Sequence, residues 1–321
     1  MIDFIDAERV HRLLDFPCLV EGLRKLHAAP PPDVERLLMS QLGGGEEADH
    51  FLIWPAWQPG EALGVKLMTV FPENLEGASG LPSIQGLYLL FDGRDGRPLA
   101  CIEGAALTYR KTAADSALGA AFLAREDAEV LLMVGAGAVA PYLVMAHRAV
   151  RPSIRRVLVW NRTAARAEAL AESLGAERID DLAQGVRAAD VVCCATASQK
   201  PLIRGDWLMP GTHLDLVGGF TPAMREADDT AARRARVHVD SRWFTIEDCG
   251  DIAGPIASGA IAEADVLADL FELARGDQPG RRDAAEITLF KNAGGAHLDL
   301  MTARLLMRRL EDPDASASQE A

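Results

Sequence analysis

The stretch Glu129-Val-Leu-Leu-Met-Val-Gly-Ala-Gly-Ala-Val-Ala140 restricts the fold more than any other part of this chain. An unbroken apolar run of strand length meets two glycines, and the helical pattern AVAPYLVMAHRAV follows at once. Gly135, Gly137 and Ala140 stand at the spacing G-x-G-x-x-A. In a strand-turn-helix unit the first glycine permits the tight turn and the second lets a pyrophosphate approach the backbone. The third position needs a small residue so that helix and strand can pack. Unpaired N–H groups and the helix dipole then favour phosphate at the helix N-terminus. The segment, Val139 included, reads as a dinucleotide-phosphate loop.

The residues that follow repeat the strand-helix rhythm. RRVLVWNRT is a second strand, and AARAEALAESLGA a helix with Gly175 as its stop. DVVCCATAS, HLDLVGG and RVHVDSR are further short apolar runs, as expected for a parallel sheet covered on both faces. At the end of the second strand a protein selecting NAD normally presents Asp or Glu to the ribose 2′-hydroxyl. Here the turn is Trp160-Asn161-Arg162-Thr163, with Arg166 one turn into the helix. No carboxylate repels a 2′-phosphate, and Asn161, Arg162 and Arg166 would welcome one. NADP is therefore preferred, with NAD open as the alternative; Thr163 also suits a helix N-cap. Ala195, Thr196 and Ala197 close the next strand, where open α/β sheets bind ligands.

The first third of the chain has a different pattern. ERLLMSQL, HFLIWPAW, LGVKLMTVF and SIQGLYLLF are separated by GGGEE, QPGE and PENLEGASGLP, and GRDG joins GLYLLFD to RPLACIE. These predict an antiparallel sheet with a hairpin. A helix is expected from Thr108 as its cap, which puts Lys111 and Thr112 in the first turn. That turn favours anions and disfavours a cation, so a lysine there hints at a purpose. Lys66 lies mid-strand on the face of Met68 and Val70, either as a snorkelling edge residue or as an anchor in a pocket. Arg36 and Arg110 are further candidates, and for each the plain alternative is a solvated surface charge. IAEADVLADLFELARG reads as one long helix, and EITLFKNAGGAHLDLMTARLLMRRL as a final strand, turn and helix. EDPDASASQEA reads as a disordered tail.

With 321 residues, two domains are expected. A net charge of −14 argues against nucleic acid or an anionic membrane as partner, and requires basic residues to be gathered locally if the substrate is an anion. The five cysteines include no C-x-x-C pair and read as reduced thiols in a cytoplasmic protein. The seven histidines are scattered, so no metal site is expected. No apolar run reaches spanning length, and the N-terminus carries no targeting pattern.

Taken in order, GVKLMTVFPEN followed by LP, RPLACIEGAALT, KTAADSALGA, VGAGAVA, TASQKPLI, PGTHLDLVGG and EITLFKNAG resemble the ornithine cyclodeaminase/mu-crystallin family over nearly the whole chain. WNRT looks like the matching turn of the family's NADPH-using ketimine reductases. The resemblance implies an α/β fold: a Rossmann-type parallel-sheet domain plus a discontinuous α+β substrate-binding and dimerisation domain. The latter would span residues 1–125, completed by about 288–312, with the dinucleotide domain at 126–287 and the tail at 313–321. It also implies a homodimer, a substrate carboxylate held at Arg36, Lys66 and Lys111, and coenzyme phosphates at Thr112 and the glycine loop.

This chain departs from the family pattern twice. It has Lys111-Thr112-Ala113-Ala114 where the family usually has Arg-Thr-Ala-Ala, which keeps the charge but loses a bidentate fork, so either the carboxylate geometry differs or Arg110 helps. After Gly218 and Gly219, ornithine cyclodeaminases carry an aspartate that serves the substrate amino group. Here the residue is Phe220, which cannot move a proton. The reading is then NAD(P)H-dependent reduction of a small anionic cyclic ketimine, in proline metabolism. Δ1-Pyrroline-2-carboxylate, and its six-membered homologue Δ1-piperideine-2-carboxylate, would give L-proline and L-pipecolate. Lys66 would anchor the carboxylate and exchange a proton with the ring nitrogen, and Gly218, Gly219 and Phe220 would lie by the nicotinamide. The alternatives are an ornithine cyclodeaminase, an alanine-type amino-acid dehydrogenase, and a crystallin-type protein that binds without turnover.

Overall fold

The computed structural model describes residues 2–42, 48–75 and 80–312. The GGGEE turn, part of PENLEGASGLP and the tail read as disordered lie outside the described residues. Contacts divide the chain into two compact units. One comprises Met1–Gly22, Pro30–Lys111 and Gly295–Ala321, and the other Leu23–Ala29 and Thr112–Gly294. The sequence reading put these divisions at 125/126 and 287/288. They shift because the C-terminal half of helix Gly104–Leu123 packs within the second unit, where Gly119 lies against the Phe290 ring, and because strand Thr288–Lys291 joins that unit's sheet. No helix among the described residues is long and apolar enough to cross a membrane.

The first unit carries a seven-stranded sheet. Its order is Asp3–Ile5, Pro98–Glu103, Ile84–Asp92, Ala62–Val70, Ala48–Gln58 and Asp33–Val34, with Leu37–Leu42 also paired to Ala48–Gln58. Neighbours are antiparallel except for Asp3–Ile5, which runs parallel to Pro98–Glu103. The period of two along a strand puts Ala62, Gly64 and Lys66 on one buried face. The last helix, Ala296–Glu311, covers strands Ala48–Gln58, Ala62–Val70 and Ile84–Asp92. In register, Lys66 lies between Trp54 and Tyr88.

The second unit is an eight-stranded, all-parallel sheet. Its order is Glu177–Arg178, Arg156–Trp160, Val130–Val134, Val191–Cys194, His213–Leu216, Thr288–Lys291, Arg236–Val239 and Val266–Asp269. Val191–Cys194, His213–Leu216 and Thr288–Lys291 are buried along their whole length, the first as a continuous apolar run and the other two with buried polar residues His213, Asp215, Thr288 and Lys291. The chain starts at Val130–Val134, moves to Arg156–Trp160 on one side and then crosses to Val191–Cys194 on the other. That reversal opens a crevice at the carboxyl ends of the strands, beside Gly135 and Ala195. Behind it, buried Asp215 accepts from Ser116 Oγ at 3.0 Å and pairs with His147 Nε2 at 3.0 Å, tying two helices to the sheet.

Two local expectations are corrected. The helix expected from Thr108 starts at Gly104, because the Glu103 carboxylate accepts from the Ala105 and Ala106 N–H groups at 3.0 and 2.6 Å. Thr108 is therefore inside the helix, donating to the Gly104 carbonyl, and Lys111 and Thr112 lie beyond the first turn. Lys111 therefore does not oppose the dipole at the helix start. IAEADVLADLFELARG is not one helix: Val266–Asp269 is the edge strand of the parallel sheet, and helix Leu270–Arg275 starts after it. An Asp269–Glu272 capping box makes the break, each side chain accepting from the other's backbone N–H at 2.9 Å.

Candidate functional site

In the second unit, Gly135 has φ +107°, and a Cβ there would strike the Ala195 carbonyl oxygen. The turn is thus closed by the protein's own backbone, and only glycine fits it. Gly137 is different: a Cβ built on it meets nothing within 4 Å. Its bare backbone is not needed for packing and leaves the room that a pyrophosphate requires. Ala140 is fully buried and opens helix Ala140–Val150, with Val139 as the preceding cap residue. These features fit a bound dinucleotide.

Asn161 is built into this loop. Its Oδ1 accepts from Ala136 N–H at 3.2 Å and its Nδ2 donates to the Thr163 carbonyl at 3.0 Å, so the amide links the glycine turn to the turn after the second strand. Thr163 is the N-cap residue of helix Ala164–Leu174, which ends on left-handed Gly175. Arg162 and Arg166 are exposed, and their guanidinium groups make no hydrogen bond or ion pair among the described residues.

Glu226 explains Gly218, just after strand His213–Leu216. The buried carboxylate accepts from Thr196 N–H at 2.6 Å, Thr196 Oγ at 2.8 Å and Gly218 N–H at 2.7 Å. A Cβ on Gly218 would overlap the Thr196 carbonyl and stand 2.5 Å from Glu226 Oε1, while one on Gly219 would stand 2.5 Å from Asp251 Oδ2. Both glycines are therefore required by neighbouring protein atoms. Burial pushes the Glu226 carboxyl up, opposed by buried Lys291, which pairs with Asp251 at 3.5 Å. Asp240, also buried, accepts from Ala293 and Gly294 N–H at 2.8 and 2.6 Å. Asn292 donates to the Thr112 carbonyl at 2.9 Å, so Thr112 is held through its backbone. Ala195 and Thr196 are half-buried at the strand ends, Ala197 is exposed, and Phe220 is 57% exposed.

In the first unit the structure gathers a buried ionic cluster. Lys66 and Lys111, 4% and 3% exposed, share one carboxylate oxygen: Asp299 Oδ1 lies 3.5 Å from Lys66 Nζ and 2.9 Å from Lys111 Nζ. Lys66 also donates to Thr108 Oγ at 2.8 Å, and Lys111 to the Gly295 carbonyl at 3.1 Å. An ammonium has three N–H donors, so each lysine keeps one beyond these partners. Trp54 backs the group, with Lys66 Nζ 5.8 Å and the Arg36 guanidinium carbon 4.9 Å from its ring centroid. Burial lowers the Lys66 pKa to about 8; Asp299 opposes the fall and Lys111 adds to it. Arg110 is not part of this cluster. It donates to His11 Nδ1 at 3.1 Å and to the His11 carbonyl at 2.9 Å, with its guanidinium over the Phe16 ring.

The sequence reading missed Asp299, Tyr88, Trp54, Glu226, Asp251 and Lys291. A signal existed for two of them. Asp299 lies on the apolar stripe that runs through Ala296 and Ala303 in the last helix, and Lys291 ends an otherwise apolar strand. Glu226 and Asp251 stand in segments without regular periodicity. One group of metal-ligand types occurs among the described residues: His147, Cys193 and Asp215, all buried. Asp215 Oδ2 already bonds both His147 Nε2 and Cys193 Sγ, at 3.0 and 3.1 Å, as expected of a closed hydrogen-bond network.

Comparison with known proteins gives concordant results. Residues 41–314 match the model of the ornithine cyclodeaminase/mu-crystallin family. A Δ1-pyrroline-2-carboxylate reductase of Paracoccus denitrificans is 45% identical over 294 residues, covering 90% of this chain and 91% of that protein. The structure of Thermococcus litoralis Δ1-pyrroline-2-carboxylate reductase with NADH and L-proline superposes with a TM-score of 0.87 at 29% identity, over 98% of each chain. An archaeal alanine dehydrogenase dimer with bound NAD gives 0.85 at 25% identity, over 97% of each chain. The strand order, the glycine loop and these matches together place the chain in the ornithine cyclodeaminase/mu-crystallin family.

Proposed function

We propose that this chain is an NAD(P)H-dependent reductase of cyclic ketimine acids, acting on Δ1-pyrroline-2-carboxylate to give L-proline. The observation that carries the reading is the buried pair of Lys66 and Lys111, each with one N–H left for a ligand. The 45% identity to a reductase of this substrate supports it. A reduced nicotinamide coenzyme, when bound, would supply the hydride for the imine carbon. The chain's own residues do the rest. Lys66, Lys111 and Arg36 fix the carboxylate and so limit the poses of the adjoining C=N carbon. Lys66, with a pKa near 8, gives the ring nitrogen the proton that completes the amine. Arg110 is left out of the substrate contacts because His11 and Phe16 hold it.

NADPH is favoured over NADH because Arg162 and Arg166 are exposed near the turn and no carboxylate stands in Trp160-Asn161-Arg162-Thr163. A 2′-phosphate would meet cations there. Thr112, the glycine loop and the Ala195–Ala197 strand end are the coenzyme contacts in this reading, with Gly218, Gly219 and Phe220 close by. The six-membered ketimine is a second substrate. Apolar residues Leu37, Leu38, Met39, Leu42, Ile84 and Leu87 are exposed on the strands of the first unit, and a homodimer would cover some of them.

A second reading is an alanine-type dehydrogenase, favoured by the likeness to the archaeal enzyme. The deaminating reading is opposed by Phe220, which offers no carboxylate for an amino group. One assay separates them. Purified protein with NADPH or NADH and the five-membered imine acid should consume the reduced coenzyme. Consumption with pyruvate and ammonia instead selects the dehydrogenase, and ammonia release from ornithine without net coenzyme change selects the lyase.

A further inference from the structure

The reading above gives roles to the cations and none to the single anion among them. Asp299 is fully buried at the start of the last helix, and one of its oxygens lies within ion-pair distance of both lysines. Neither oxygen has a further hydrogen-bond partner among the described residues. A buried carboxylate is costly unless it is paired, and here both lysines pair with it.

We propose that Asp299 is a positioning residue for the reduction: it holds the Lys66 and Lys111 ammonium groups on one shared oxygen and supplies the charge that keeps Lys66 cationic inside the protein. The charge count supports this. Lys66, Lys111 and Asp299 sum to one positive charge, so a substrate carboxylate brings the cluster to neutrality. Without Asp299 two buried ammonium groups would face each other, and such pairs are relieved by loss of a proton. The remaining groups around Lys66 do not replace the missing charge. Thr108 is neutral, the buried Tyr88 hydroxyl is held above its ordinary range by burial and by Asp299 and stays protonated, and Arg36, against the Trp54 ring, is another cation. Burial has already brought Lys66 to about 8, so a further fall would leave it neutral near pH 7, unable to hold an anion or give a proton.

This inference rests on the substrate role of Lys66, and the test separates the two. Protein carrying ¹³C,¹⁵N-lysine is titrated by NMR without substrate or coenzyme, the Lys66 signal being the one lost in Lys66→Arg. In Asp299→Asn the Lys66 midpoint should move to acid by at least one pH unit, and Asp299→Glu should return most of it. Should Asp299→Asn not fold, Lys111→Met serves, because it leaves Asp299 to Lys66 alone and must move the midpoint upward. An unmoved midpoint in either variant overturns the coupling. The second arm is kcat/KM for the imine against pH. Its alkaline limb should move with the NMR midpoint while coenzyme affinity stays within about two-fold. A uniform loss with an unmoved limb overturns the positioning role. Wild-type protein that titrates as stated but reduces no imine would defeat the proposed function instead.

Discussion

Replacing Lys66 by Met should make the protein more stable near neutrality and inactive, and the gain should fade as the pH rises. The lysine is 4% exposed, and its pKa falls from the ordinary 10.5 to about 8 on folding, chiefly through burial. Between those values the unfolded chain binds more protons than the folded one, so wild-type stability rises with pH across that window. Below about 8 the whole penalty applies. At about 1.4 kcal/mol for each tenfold change in proton affinity, it comes to about 3 kcal/mol at pH 7 and under about 1 kcal/mol at pH 10. Methionine matches the length of the stem and carries no charge. Asp299 keeps Lys111 at 2.9 Å, so the substitution does not leave a bare buried carboxylate. Urea unfolding of both proteins at several pH values gives the difference curve, in which other titrating groups largely cancel. A variant advantage that shrinks by about 2 kcal/mol between pH 7 and 10 is expected. A flat difference curve would refute the claim that a buried ammonium is held there at a cost to folding.

The glycines make contrasting predictions. Gly137→Val should leave the melting temperature nearly unchanged, since no protein atom lies within 4 Å of the new Cβ, while coenzyme affinity falls at least about ten-fold. Titration of coenzyme fluorescence checks this. Gly218→Ala should do the reverse first, costing about 1–3 kcal/mol of stability because the Thr196 carbonyl and Glu226 occupy the space. Chemical denaturation reads that loss. Arg162→Ala should weaken NADPH about ten-fold and NADH little, as binding isotherms for both coenzymes would show. Equal effects on the two would remove Arg162 from the 2′-phosphate.

Much of the fold was legible because its local signals agree with its tertiary outcome. The apolar run before Gly135, the G-x-G-x-x-A spacing and the left-handed stop at Gly175 each express a local steric rule. Alternation in the first third gave the antiparallel sheet, and Lys66 was conspicuous there as a charge among apolar neighbours. Where a side chain from one element ends another, the reading failed. Glu103 moved a helix start by capping Ala105 and Ala106, and the Asp269–Glu272 box separates strand Val266–Asp269 from a helix within what reads as one helix.

The residue types and their order thus determined the dinucleotide loop, the alternation of strands and helices, and the presence of unusual lysines in apolar surroundings. Only the tertiary structure decided what each charge faces. It joined Lys66, Lys111 and Asp299, far apart in sequence, and turned adjacent Arg110 toward His11. It also showed that Gly218 is glycine because of Thr196 and Glu226. The physical reason is range: steric and hydrogen-bond rules act over a few residues and can be read along a chain, whereas burial and Coulomb energy depend on which distant groups folding brings within a few ångströms.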